Sequence, residues 1–257
     1  MLSANSRLGL RRLGRRLIWP APWLYAPCGV FRRGCNVFAR GHQLYIDGFP
    51  RSGNTFALKA FLLANPGVSV RCHQHIPTFT VQSVKRDEPG MVLLRKPIDA
   101  AISWSIYEGQ SLGHSLSYYS DFYSVLLKHC KCLFLVTFES VISDFGRVIR
   151  DFNERWGTSF APFEHTPPNV ARCIAQIDED YADGAGGVLE LRVARPSNCR
   201  QPLKEKLMSK IRVSPALERE LMRATEIYQK LLPRDFTSKI KPAQAKSTQG
   251  IRFRPAG

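Results

Sequence analysis

One octapeptide constrains this chain more than any other stretch: Gly48-Phe49-Pro50-Arg51-Ser52-Gly53-Asn54-Thr55. It follows Leu44 to Asp47, which reads as a short strand. It runs into Thr55 to Ala64, which reads as a helix closed by Asn65, Pro66 and Gly67. Gly48 and Gly53 have the spacing of a phosphate-cradling loop, with Thr55 at its hydroxyl position and Asn54 where a lysine would stand. Glycines let backbone N–H groups converge, and the following helix adds unsatisfied N–H groups and the positive end of its dipole. The unit is an anion site. Without the lysine that reaches the β- and γ-phosphates it does not read as an ordinary ATPase, and the cation within the loop is Arg51.

The rest of the chain alternates in the same way. Val68 to Val70 reads as a second strand, Pro77 to Lys85 as a helix with proline in its first turn, and Met91 to Leu94 as a buried strand. Helices are expected over Pro97 to Tyr107 and Ser115 to His129, and the longest strand over Cys132 to Phe138. Cys130 and Cys132 alternate as buried strand residues would. Apolar residues at 141, 142, 145, 148, 149, 152 and 156 predict one amphipathic helix from Val141 to Trp156. Further helices are expected at 167–177 and 215–232. Strands alternating with helices imply an α/β fold, three-layered, with a mostly parallel central sheet and the phosphate-binding loop after its first strand. Ligands of such sheets bind beyond the carboxyl ends of the strands, here just after Asp47, Val70, Leu94 and Phe138.

Composition bounds the alternatives. The chain has 257 residues, 44% of them hydrophobic, which suits one domain with one substantial core. A net charge of +16 suggests nucleic acid until it is located. Residues 1–41 carry +8 and residues 234–257 carry +5, which leaves +3 for 42–233. The expected organisation is a basic N-terminal arm at 1–41, the α/β domain at 42–233 and a basic, mobile tail at 234–257. No specific nucleic-acid partner is expected. Seven cysteines without paired spacing point to a reducing compartment. Cys72, His73 and His75 could ligate a metal, but no second cluster has zinc spacing, so no metal is expected. No apolar stretch reaches the ~18 residues of a membrane span. Leu17 to Phe31 imitates a signal peptide but is interrupted by Pro20, Pro22 and Pro27 and followed by Arg32 and Arg33. Trp19, Trp23 and Tyr25 beside cationic residues fit an interfacial contact with an anionic membrane, the alternative being an irregular arm packed on the domain. The expected location is cytoplasmic, with peripheral membrane contact.

From Phe49 to Phe56 the sequence resembles the sulfotransferases that use 3′-phosphoadenosine 5′-phosphosulfate (PAPS), whose loop runs aromatic-Pro-Lys/Arg-Ser-Gly-x-Thr-aromatic. The resemblance implies that Arg51 faces the phosphosulfate, that Ser52, Gly53, Asn54 and Thr55 wrap the 5′-phosphate, and that Phe56 lies near the adenine. A second stretch, Arg95-Lys96-Pro97-Ile98-Asp99-Ala100-Ala101-Ile102-Ser103, resembles the family's 3′-phosphate motif and implies that Arg95 and Ser103 share one phosphate. A third, Arg195-Pro196-Ser197-Asn198-Cys199-Arg200, is similar to the basic stretch that closes over the nucleotide, with Arg200 the better candidate and Arg195 the weaker. The Phe138-Glu139 pair also fits the family and reads as structural. The resemblance covers roughly 44–210 and is specific in its first two motifs.

His75-Ile76-Pro77 is similar to the family's base motif, and imidazole titrates near neutrality. His75 is therefore the expected general base, with His73, one strand repeat away, as runner-up. The implied reaction moves a sulfuryl group from PAPS to an acceptor hydroxyl, without metal. Arginine at position 51 suggests the carbohydrate-directed branch, and a lipid-linked acceptor fits as well. Two other classes stay open. A phosphotransferase on this scaffold would need a Mg²⁺-binding acid, for which Asp47 and Glu139 are the strand-end candidates. A non-catalytic module would bind RNA or membrane through its basic arms.

Overall fold

A computed structural model of the chain describes residues 13–21, 23–24 and 41–232. Among them four strands form one all-parallel sheet: β1 Leu44–Gly48, β2 Val70–Cys72, β3 Gly90–Leu94 and β4 Phe134–Thr137, in the order β2-β1-β3-β4. All five residues of β1 are buried, as a strand covered on both faces must be. Its alternating side chains seed two cores. Tyr45 joins Val92, Leu94 and Leu135 on one face, and Leu44 and Ile46 join Met91, Leu93, Phe134 and Val136 on the other.

Helices cover both faces. The Tyr45 side is packed by α2 Pro77–Lys85, α3 Pro97–Glu108, α4 Leu112–Leu127 and a late helix, Pro215–Leu231. The Leu44 side is packed by α1 Asn54–Ala64, α5 Phe138–Ser143, α6 Phe145–Trp156 and α7 Pro167–Asp180. Between the last pair in sequence lies α8, Gln201–Arg212, which makes Pro215–Leu231 α9. The fold is the three-layer α/β arrangement expected.

The chain runs from β1 to β2 on one side and then to β3 on the other, so strand order reverses between β1 and β3. Their carboxyl ends therefore open a crevice, the usual ligand position in such sheets. Gly48 pairs with Leu93 there, and a Cβ at position 48 would collide with the Leu93 carbonyl. Only glycine lets the two strand ends approach this closely.

Several expected elements are corrected. The second strand is displaced to Val70–Cys72, because Leu44 pairs with Val70 while the Ser69 carbonyl caps Gln43. Cys130–Cys132 is a 3₁₀ turn with Cys132 exposed, so the strand begins only at Phe134. The single helix expected at Val141–Trp156 starts earlier and breaks at Asp144, whose carboxylate accepts from Arg147 N–H and caps the second piece. Helix α8 was not expected at all.

Residues 13–18 are helical and fastened to the domain. Arg15 pairs with buried Asp121 at 2.8 Å, and Trp19 packs on Tyr118 while its carbonyl accepts from Thr78. Trp23, by contrast, is 69% exposed. Tyr25 and the tail from 233 onward lie outside the described residues. No helix among the described residues is long and apolar enough to cross a membrane.

Candidate functional site

The loop after β1 carries two left-handed residues, Arg51 at φ 68° and Gly53 at φ 93°. At Gly53 an added Cβ would also press on the Phe138 ring at 3.1 Å. Arg51 has no such excuse, and a left-handed non-glycine residue costs roughly 1–2 kcal/mol. Its carbonyl is held by Arg95 Nη1 at 2.8 Å. The turn presents the amino end of α1 to the crevice. Between Ser52 N–H, which donates to the Phe49 carbonyl, and Ala57 N–H, which donates to the Gly53 carbonyl, the N–H groups of residues 53–56 have no backbone acceptor among the described residues.

Three tyrosines of α4 hold the surrounding backbone. Tyr118 donates to the His75 carbonyl at 2.6 Å, Tyr119 to Arg95 at 2.7 Å and Tyr123 to Leu93 at 2.6 Å. Tyr123 also accepts from Phe49 N–H. The ends of β1 and β3 and the segment after β2 are thus braced by hydrogen bonds from one helix.

The crevice is a cleft of about 1100 Å³, lined by Arg51, Gly53, Asn54, Thr55, His73, His75, Arg95, Ser103, Arg195 and Arg200 together with Tyr107, Phe138 and Tyr181. Among the described residues, Arg51, Arg95 and Arg200 form no salt bridge, and Arg200 is only 4% exposed. Burial, then the charges of Arg200 and Arg95, push the Arg51 guanidinium down to about 10, with Tyr181 opposing. Burial likewise lowers Arg95 and Arg200. All three stay charged at neutral pH. Asp99, Glu108, Asp180 and Glu205 also line the cleft, and Asp99 and Glu139 pull Arg95 upward, but among the described residues none is within ion-pair distance of these three arginines. Buried cations left without a salt bridge are costly and suit an anion.

Their present partners are neutral. Arg51 donates from Nε to Ser103 Oγ at 3.1 Å, and from its two Nη atoms to the Arg192 and Val193 carbonyls at 2.9 and 2.6 Å. Arg200 donates to the Val193 and Arg195 carbonyls. Arg95 lies over the Phe138 ring at 4.2 Å. Arg195 differs: it is paired with Asp178 at 2.6 Å and Glu190 at 2.9 Å, and those hydrogen bonds hold its guanidinium above its ordinary value.

Two sequence expectations need correcting. Ser52 and Phe56 do not line the cleft: Ser52 is fully buried with its N–H on the Phe49 carbonyl, and Phe56 packs on Phe163 and His165. Arg51, Arg95 and Ser103 face the same cleft, and Arg51 touches Ser103 directly. Asn54 lines the cleft, but its amide donates to the Phe49 carbonyl. Thr55 Oγ1 and His73 Nε2 are 3.1 Å apart.

The histidines sit at the end of β2, both left-handed, at φ 58° for His73 and 53° for His75. His75 is tied to β1: its N–H donates to Asp47 Oδ2 at 2.8 Å, and its Nδ1 lies 2.9 Å from the Gly48 carbonyl and 3.1 Å from Asp47 Oδ1. Burial, reinforced by His75, lowers His73, so it is neutral at physiological pH. Cys72, His73 and His75 do not form a ligand set, and burial pushes the Cys72 thiol up, away from the thiolate a metal would need. Sequence reasoning missed Tyr181 and the cation–π role of Phe138. Only the place of Phe138 at the end of β4 could have drawn attention to it.

No protein-family model and no curated protein sequence matches this chain. Among solved structures, the crystal structure of mouse sulfotransferase SULT7A1 complexed with PAP is similar at TM-score 0.42 and 12% identity, covering 77% of this chain and 87% of that one. At that level of similarity the chemistry has to be read from the site.

Proposed function

We propose that the chain is a sulfotransferase that moves a sulfuryl group from PAPS to an acceptor hydroxyl. One observation carries the reading: three arginines without carboxylate partners and the N–H groups opening α1 face one cleft at the β1/β3 reversal. That is cationic capacity for more than one anionic group, beside a histidine able to take a proton. In this reading Arg95, Ser103 and Arg200 hold the 3′-phosphate, and the loop from Gly53 to Thr55 holds the 5′-phosphate.

The reaction follows from those positions. The acceptor oxygen attacks sulfur in line, the bond from sulfur to the bridging oxygen breaks, and its electron pair leaves with adenosine 3′,5′-bisphosphate. His75 takes the hydroxyl proton. Arg51 and the loop N–H groups stabilise charge gathering on the bridging oxygen, an electrostatic role because guanidinium does not deprotonate. To do so, Arg51 exchanges the Ser103 hydroxyl and the Arg192 and Val193 carbonyls for ligand oxygens.

Calorimetric titration with adenosine 3′,5′-bisphosphate tests the site, and transfer of labelled sulfate from PAPS to a panel of carbohydrate, lipid and phenolic acceptors tests the activity. Thermal stabilisation by ATP with Mg²⁺ but not by the bisphosphate would favour the phosphotransferase instead. Asp47 and Glu139, the strand-end acids that rival would use, do not line the cleft, so it would have to draw on Asp99, Glu108, Asp180 or Glu205, which do. Peripheral contact with an anionic bilayer belongs to the same proposal and is tested by vesicle sedimentation of Trp23→Ala. Deleting the whole arm would remove Trp19 from the core and confuse the result.

A further inference from the structure

Asp47 is completely buried at the end of β1, and three hydrogen-bond donors and the His75 ring converge on its two oxygens. Tyr45 Oη and His75 N–H reach Oδ2 at 3.1 and 2.8 Å, while Gly48 N–H and His75 Nδ1 reach Oδ1 at 2.9 and 3.1 Å. Tyr45 Oη is itself 2.8 Å from Thr80 Oγ1. The carboxylate therefore has no room to turn. Its neighbour in the chain supplies the second acceptor at His75 Nδ1, the Gly48 carbonyl at 2.9 Å.

A carboxylate oxygen and a carbonyl oxygen can only accept. A ring nitrogen within hydrogen-bond reach of both must carry the proton, so the neutral imidazole is the Nδ1–H tautomer and its lone pair is on Nε2. We propose that Asp47 is the positioning residue of this site: it fixes the tautomer and orientation of His75 so that Nε2 is the nitrogen offered to the acceptor hydroxyl. The same carboxylate also holds the left-handed His75 backbone through its N–H. When His75 takes the proton, the resulting imidazolium keeps Nδ1–H on the Gly48 carbonyl, with the Asp47 carboxylate 3.1 Å away to stabilise the new charge.

The catalytic meaning rests on the sulfuryl-transfer reading, whereas the tautomer does not, and the experiment separates them. Nitrogen-15 NMR of histidine-labelled full-length protein, well above neutral pH and with the His75 signals assigned by His75→Gln, should show Nδ1 protonated and Nε2 bare. In Asp47→Asn the population should shift toward Nε2–H. Turnover should fall by ~10²–10⁴, the range for losing a correctly presented base, with affinity for adenosine 3′,5′-bisphosphate retained. An Nε2–H tautomer in the wild-type chain would overturn the proposal even if Asp47→Asn fails to fold. So would an Asp47→Asn protein with unchanged tautomer and turnover, or one that loses nucleotide affinity and turnover in parallel. If wild-type protein does not bind the bisphosphate, the sulfotransferase reading fails while the tautomer is still decided.

Discussion

The cleft has two walls built on different terms. The strand-end wall, with Arg51, Asn54, His75 and Arg95, is tied down by buried and part-buried hydrogen bonds involving Asp47, Phe49, the Arg51 carbonyl and the tyrosines of α4. The opposite wall, from Ala194 through Arg212, brings α8, a helix with no buried residue, and an arginine already neutralised by Asp178 and Glu190. Elements with few buried contacts open first, whereas groups locked by packing keep their geometry. On the proposed function, the difference would put group-transfer chemistry on the first wall and leave the second to adjust around the ligand. Arg51 meanwhile grips the main-chain carbonyls of Arg192 and Val193, just before the second wall, neutral partners that an anion can replace.

The largest effect should come from His75. Replacing it with glutamine removes the proton acceptor from the fixed wall and should lower turnover by ~10²–10⁴ with little change in nucleotide affinity. A small loss would move the chemistry to His73 or to the other wall. Arg51→Ala should follow, at roughly 10²–10³ in turnover, the usual cost of one donor to developing negative charge. Equal and small effects of Arg51→Ala and Arg95→Ala on turnover would dissolve the assignment of roles. Arg95→Ala and Arg200→Ala should act on binding, each weakening the bisphosphate by ~10–150-fold, equivalent to the 1.5–3 kcal/mol of a charge-assisted hydrogen bond. Because each also relieves repulsion in the cluster, neither should lower the melting temperature of the ligand-free protein by much. Arg195→Ala reverses that pattern. Its pairs are partly exposed and worth about 0–1 kcal/mol, so it should cost a little stability and leave nucleotide affinity unchanged. A loss of affinity as large as that of Arg200→Ala would erase the distinction between paired and unpaired arginines.

The same division governs what could be read from the sequence. The loop from Gly48 to Thr55 was legible because strand, turn and helix are contiguous, and glycine spacing is a local requirement. Arg95 was legible because Pro97 fixes the start of α3 two residues beyond the strand. The link between Asp47 and His75 was not, since it joins residues 28 positions apart through the parallel pairing of β1 with β2. Ser52 and Phe56 went astray because a turn residue's side-chain direction depends on backbone angles that composition does not reveal. Cys130 and Cys132 imitated strand alternation inside a 3₁₀ turn. Helix α8 escaped because none of its residues is fully buried and only Leu207 and Ile211 pack on the core, which leaves a weak hydrophobic period.

The smallest expected effect concerns His73, which stands beside the fixed wall and shares its constraint only in part. Burial, then the neighbouring His75, lowers its pKa in the folded chain from the ordinary 6.5, against weaker opposing pulls from Asp47 and Asp180. As pH falls through 6.5 the unfolded chain takes up this proton before the folded chain does. The unfolded state then binds more protons, so stability must rise with pH across that interval, with the contribution complete above 6.5 and lost once the folded-state pKa is passed. Removing the group in His73→Gln should therefore make the melting temperature less sensitive to acidification between about pH 5 and 7. The change should be modest, because His73 meets water through the mouth of the cleft and the interaction is screened. A steeper pH dependence in the variant would mean that His73 is stabilised as the cation, which would place a negative partner beside it and take the charge balance of this wall away from the arginines.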